Sequence, residues 1–173
     1  MGFEPFFVIG LPRSRTYWLS KFLTTDSCKV GHDSSCEYSS IEEMHKKMDN
    51  GICDTALAFH WKLLKGKIVI IERDYNDVLR SVSALGMVES ASLRKIYDAL
   101  QEAKQFYPCI SYKDLQKKSV CKELFEYLTG EKFDSVRWKR MDKEIITVSV
   151  DEEMTRFKNN SENIQSLYGS LLC

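Results

Sequence analysis

Two short stretches of this chain gather side chains suited to holding polyanions. In Pro12-Arg13-Ser14-Arg15-Thr16-Tyr17-Trp18, four consecutive residues bring two guanidiniums and two hydroxyls together. Arg13 offers a planar fork of donors that matches phosphate or sulfate oxygens, Arg15 a second guanidinium, and Ser14 and Thr16 hydroxyl donors. In Glu72-Arg73-Asp74-Tyr75-Asn76-Asp77-Val78-Leu79-Arg80-Ser81, a second arginine is followed eight positions later by a serine. The chemistry these residues suit is the binding of one ligand with two anionic groups. The plain alternatives are a strand-to-helix turn with solvated arginines, and Arg73 paired with Asp77.

Both stretches need elements that aim them. Phe6-Phe7-Val8-Ile9 is an apolar run of β-formers, read as a strand buried on both faces and broken at Gly10 and Pro12. From Thr16 the apolar residues Trp18, Leu19, Phe22 and Leu23 recur at helical spacing. A strand, a tight loop and a helix start point backbone N–H groups and the positive helix end at one place, which favours an anion there. The loop lacks the Gly-Lys-Ser/Thr of a nucleoside-triphosphate P-loop. Ile68-Val69-Ile70-Ile71 is the clearest buried strand, with Arg73 leaving its end. The helix after it carries Val78, Leu79, Val82 and Leu85 up to Gly86, and Asp74 and Asp77 suit its N-terminus.

Further strands are expected at Cys28–Gly31, Cys53–Phe59 and Cys109–Tyr112, with an edge strand at Ile145–Val150. Helices are expected at Ser40–Asp49, Ala91–Phe106, from Leu115 to a stop at Gly130, at Asp134–Met141 and at the end. Strands alternating with helices predict an α/β fold: a three-layer sandwich with a mostly parallel sheet and a phosphate-binding loop after the first strand. Residues 1–173 carry no linker or repeat, and their length suits a single domain.

Lysine plus arginine equals aspartate plus glutamate at 25 each, so no global field draws nucleic acid or an anionic membrane, and any basic site is local. Glu4 stands before the first strand in place of a basic leader, and no apolar segment approaches a membrane span. The expected location is cytoplasmic, with no nucleic-acid or membrane partner. The six cysteines (28, 36, 53, 109, 121 and 173) form no CxxC or Cys/His ligand pattern, so free thiols and no metal are expected.

Taken together, the two stretches resemble the nucleotide site of the sulfotransferase family. That family's loop, Pro-Lys/Arg-Ser-Gly-Thr-Thr-Trp/Leu, is similar here at Pro12, Arg13, Ser14, Thr16 and Trp18. Its second motif, an arginine ending a strand, an Asp, and a serine eight positions on, is matched by Arg73, Asp74 and Ser81. Ile110-Ser111-Tyr112-Lys113-Asp114-Leu115, followed by a helix and Leu128-Thr129-Gly130, resembles the late Tyr-Glu-Asp-Leu segment. The resemblance covers roughly Phe6 to Gly130. It implies a donor substrate, 3′-phosphoadenosine 5′-phosphosulfate, bound without a metal. Arg13, Ser14, Arg15, Thr16 and Tyr17 would lie at its 5′ end, and Arg73 and Ser81 at its 3′-phosphate. Three departures stand out: Arg15 in place of the loop Gly, Tyr17 in place of a Thr, and a missing Arg-Lys-Gly segment, for which Lys139 and Arg140 are candidate substitutes.

Transfer to an acceptor hydroxyl requires a general base. Gly31-His32-Asp33 is similar in placement to the Gly-Glu-Glu segment of tyrosylprotein sulfotransferases. Asp33 is therefore the first candidate, His32 the second and His60 the third; His45 is expected on a solvated helix face. The plain readings are Asp33 as a cap or turn residue and the histidines as hydrogen-bonded neutral rings. The expected function is sulfuryl transfer to a small-molecule, glycan or protein hydroxyl, or to an amine. The rivals are a P-loop kinase, disfavoured by the absent lysine triplet, and a non-catalytic module that binds adenosine 3′,5′-bisphosphate.

Overall fold

The computed structural model describes residues 4–84, 91–143 and 150–172. Five parallel strands form one sheet in the order β2-β3-β1-β4-β5: β1 Phe6–Gly10, β2 Val30–His32, β3 Gly51–Cys53, β4 Lys67–Glu72 and β5 Cys109–Ser111. The helices are α1 Thr16–Leu23, α2 Ile41–Lys47, α3 Tyr75–Ser83, α4 Ala91–Ala103, α5 Lys118–Thr129, α6 Ser135–Lys143, α7 Val150–Asn159 and α8 Ser161–Leu172.

Strand alternation divides the core in two. Phe7, Ile9, Ile52, Ile68 and Ile70 face a layer that includes Met44 of α2, Val78 of α3, Leu100 of α4 and Leu167 of α8. Phe6, Val8, Val69 and Ile71 face Leu19 and Phe22 of α1, Leu124 and Leu128 of α5, and Met141 of α6. Every residue of β1 is buried, as a central strand covered on both sides must be. Gly10 ends β1 where it lies against Ile71 of β4, and a Cβ there would stand 2.9 Å from the Ile71 carbonyl oxygen. Gly130 closes α5 in the left-handed region at φ 68°, where glycine carries no Cβ penalty.

This strand order positions the site. After β1 the chain passes beyond β3 to β2, whereas after β4 it crosses to β5 on the opposite side. The carboxyl ends of β1 and β4 therefore flank the point where the connections diverge, the crevice in which open parallel sheets take ligands.

Several elements differ from the sequence expectation. The strand expected at Cys53–Phe59 is β3 at Gly51–Cys53, and Ala56–Leu63 coils into 3₁₀ helix because the buried Asp54 carboxylate accepts the N–H groups of Ala56 and Leu57 (2.7 and 3.3 Å). His60 consequently lies in that 3₁₀ segment and not at a strand end. The second strand is shifted to Val30–His32, which includes His32 itself. Val150 opens α7 instead of closing a strand, while residues 145–149, Leu85, Gly86 and Cys173 lie outside the described residues. His45 is half-buried: its ring meets Phe7 edge-on at 5.5 Å and its Nε2 accepts from the Lys65 N–H at 3.2 Å.

Candidate functional site

The loop between β1 and α1 turns sharply through Arg13 and Arg15, both in the left-handed region (φ 65° and 64°). Two non-glycine residues held there impose a real strain, on the order of 1 kcal/mol each. The second falls at the position where the sulfotransferase loop carries glycine. The strained turn brings the loop onto the N-terminus of α1, with Arg15 as its N-cap. Ser14 is fully buried, and its Oγ has no hydrogen-bond partner among the described residues. The same holds for Nη1 of Arg15, whose guanidinium lies 5.6 Å from the Trp18 ring centroid and 5.8 Å from that of Tyr112. Buried donors without partners are costly unless a ligand supplies acceptors, so this loop fits an anion.

The second stretch meets the first. Arg73 leaves β4, donates to the Arg13 carbonyl and lies 4.4 Å from the centroid of the Tyr112 ring. Asp74 N-caps α3, accepting the Asp77 N–H at 3.0 Å, as its position in the sequence suggested. Asp77 pairs with Arg80 and not with Arg73. Ser81, inside α3, accepts from Arg13 Nε at 3.3 Å. Arg13, Arg73 and Ser81 thus stand together at the crevice between β1 and β4.

The base candidates separate. His32 Nε2 lies 3.3 Å from Thr16 Oγ1 and 3.2 Å from Asp33 Oδ2, and the ring meets Tyr17 edge-on at 4.9 Å. Both His32 and Asp33 therefore adjoin the start of α1. Burial, then the charges of Arg156 and Lys21, lower the His32 pKa to about 4, so the imidazole is neutral at pH 7. The Asp33 carboxylate opposes this shift from 3.2 Å, so burial and the two cations prevail by less than they would alone. Asp33 occupies the left-handed region at φ 45°, and its Oδ1 accepts from the Thr55 N–H at 3.3 Å. His60 is fixed elsewhere: its Nε2 lies 2.9 Å from the Leu167 carbonyl of α8, which it can approach only as a donor. Burial also lowers its pKa.

Three contributors had no role assigned in the sequence reading. Tyr112 is the aromatic surface on which Arg73 lies, Arg156 of α7 donates to the His32 carbonyl at 2.7 Å, and Asp54 takes the Ser35 N–H at 3.1 Å as well as the two 3₁₀ donors. Tyr112 belongs to the late resembling segment and was open to discovery there. Arg156 had no local signal, since its partner is 124 residues away. Lys139 and Arg140 are exposed on α6, whose described bonds run to α1: Arg137 donates to the carbonyls of Lys21 (2.6 Å) and Thr24, and Met141 accepts from Trp18 Nε1 (3.2 Å).

Among the described residues, no group of three or more His, Cys, Asp or Glu is arranged to hold a metal ion, and no helix is long and apolar enough to cross a membrane. No protein-family model matches the chain, and no curated protein matches it. Among solved structures it is similar to mouse sulfotransferase SULT7A1 complexed with PAP, at 16% identity and a TM-score of 0.52, over 83% of this chain and 64% of that one. The chain thus spans just under two thirds of that neighbour's length. The parallel sheet, its flanking helices and this likeness agree: the chain has a sulfotransferase-like fold.

Proposed function

We propose that this protein is a sulfotransferase, moving a sulfuryl group from 3′-phosphoadenosine 5′-phosphosulfate to a hydroxyl or amine acceptor. One observation carries the reading. Two arginine-bearing stretches, 60 residues apart between Arg13 and Arg73, close on each other at the divergence of the sheet connections. The neighbour's complex with PAP, adenosine 3′,5′-bisphosphate, supports a ligand with two anionic ends.

The loop N–H groups, Ser14 and the loop arginines suit the 5′ end, and Arg73 with Ser81 the 3′-phosphate. The donor supplies the sulfuryl group. The protein's own part is chiefly electrostatic: fixed N–H groups and guanidiniums face the place where negative charge grows on the departing phosphate. Asp33 is the proposed base, taking the acceptor proton on its carboxylate while His32 Nε2 and the Thr55 N–H hold it in place. His32, neutral at pH 7, is the second candidate for that proton. A cytosolic setting goes with this reading, supported by Cys28, Cys53 and Cys121 lying buried as thiols.

Calorimetric titration with adenosine 3′,5′-bisphosphate, AMP and ATP tests the proposal. The bisphosphate should bind more tightly than AMP by at least ~1.5–3 kcal/mol, the worth of a charged hydrogen bond. Arg73→Ala should erase most of that margin. Equal affinities in the parent protein would sink the reading. A non-catalytic module is the second reading, favoured by Arg15 standing where the family's loop carries glycine; it predicts the same binding and no transfer to any acceptor.

A further inference from the structure

We propose that helices α7 and α8 clamp the turn that carries Asp33, with Arg156 as the positioning residue of that clamp, so that the acceptor side of the site is complete only when α7 is seated. The proposal rests on Asp33 as the base and adds the residues that hold it.

Three observations carry it. The first is the grip on one peptide unit. The His32 carbonyl accepts from Arg156 Nη1 at 2.7 Å, and the N–H of the same unit, on Asp33, donates to the Cys53 carbonyl at 3.0 Å. Asp33 itself lies in the left-handed region at φ 45°, a conformation that a non-glycine residue keeps only where its surroundings over-determine it. The second is the anchor. Two residues beyond Asp33, the Ser35 hydroxyl accepts from the buried Tyr168 hydroxyl of α8 at 2.7 Å, and Ser166 donates to the Ser39 carbonyl at 2.9 Å. The turn is thus held by α8 on one side and α7 on the other, across 133 and 124 residues of sequence. The third is the asymmetry of the two helices. α8 places Leu167 and Tyr168 in the core, whereas among the described side chains of α7 only Arg156 is not exposed. α7 therefore comes away at far lower cost than α8, and what it withdraws is the guanidinium at the base-bearing turn.

Arg156→Gln removes the charge and shortens the reach while leaving the exposed face of α7 unchanged. Three readings on the full chain test the clamp. By proton NMR the His32 ring should titrate at a higher pH in the variant, since one neighbouring cation has gone while Lys21 and Asp33 remain. By hydrogen exchange the Asp33 amide should lose protection about tenfold. Turnover with an acceptor drawn from phenols, alcohols and sugars should fall about tenfold or more, with affinity for adenosine 3′,5′-bisphosphate held within about twofold, and millimolar guanidinium should restore part of it. Unchanged His32 titration together with unchanged Asp33 exchange would show that Arg156 does not hold the turn, and would overturn the proposal. So would a fall in turnover matched by an equal fall in bisphosphate affinity, the mark of a general loss of structure. Failure of the base reading looks different: Asp33→Asn then keeps the parent's turnover, while the titration and exchange effects of Arg156→Gln persist.

Discussion

Arg13 Nε donates to Ser81 Oγ at 3.3 Å, joining the loop after the first strand to the helix after the fourth. Neither residue is buried, so the bond itself adds only modest stability. Its value is geometric, since it fixes the spacing of two groups that the chain keeps 68 residues apart.

Ser14→Ala separates stability from binding. The Ser14 hydroxyl is buried without a partner among the described residues, so removing it should leave chemical denaturation unchanged or raise stability by about 0–2 kcal/mol. Affinity for adenosine 3′,5′-bisphosphate should nevertheless fall several-fold by titration. A stability loss with unchanged affinity would mean that Ser14 serves packing alone.

Asp33→Asn tests the base. Asparagine tolerates the left-handed region that Asp33 occupies, so the fold should persist. Turnover with an acceptor found by screening phenols, alcohols and sugars should drop on the order of 10²–10⁴-fold, about 3–5.5 kcal/mol in the barrier. Bisphosphate affinity should stay within a few fold. Unchanged turnover would pass the role to His32.

His32 makes stability depend on pH. Its pKa falls from 6.5 to about 4 on folding, so below pH 6.5 the unfolded chain takes up a proton first. Stability from this group is complete above pH 6.5, declines as pH falls towards 4, and is flat below that. The decline is at most roughly 3 kcal/mol, reduced by the Asp33 carboxylate. Urea melts of the parent and of His32→Gln between pH 4 and 7 measure it, and the variant should have the flatter profile.

Asp74→Ala should cost about 0.5–2 kcal/mol through loss of the α3 N-cap. At this chain length that lowers the thermal midpoint by about 2–4 °C per kcal/mol. An unchanged midpoint would show that the helix start is held by other contacts.

The parts of the fold legible in sequence were those whose cause is local. β1 and β4 are apolar runs closed by turn residues, α1 has helical spacing, and Gly130 stops α5. β3 was misjudged because it has only three residues and because Asp54 recruits the chain beyond it into 3₁₀ helix. The types and spacing of Arg13, Arg73 and Ser81 singled them out as candidates, and the structure brings the three together. The contact from Arg13 to Ser81 was not legible, since it follows from a left-handed φ that no arginine announces. Nor was the tie of His60 to Leu167, a pairing across 107 residues that docking of α8 alone creates. His45 misled for the same reason: two lysines follow it in sequence, yet its ring lies on Phe7.

The bracing of α1 by α6 bears on how the loop is made. Trp18 donates its indole N–H to a carbonyl 123 residues later, and Arg137 reaches back 116 and 113 residues to the carbonyls at the far end of α1. β1 likewise has no strand beside it until Gly51 and Lys67 arrive. The loop should thus be among the last parts of the fold to acquire its shape, because loop closure over such separations is slow and precedes any reward. During refolding, the power to hold a nucleotide should appear with the final phase, after the helices have formed. A fluorescent bisphosphate added to refolding protein would therefore time the completion of the molecule and not its collapse.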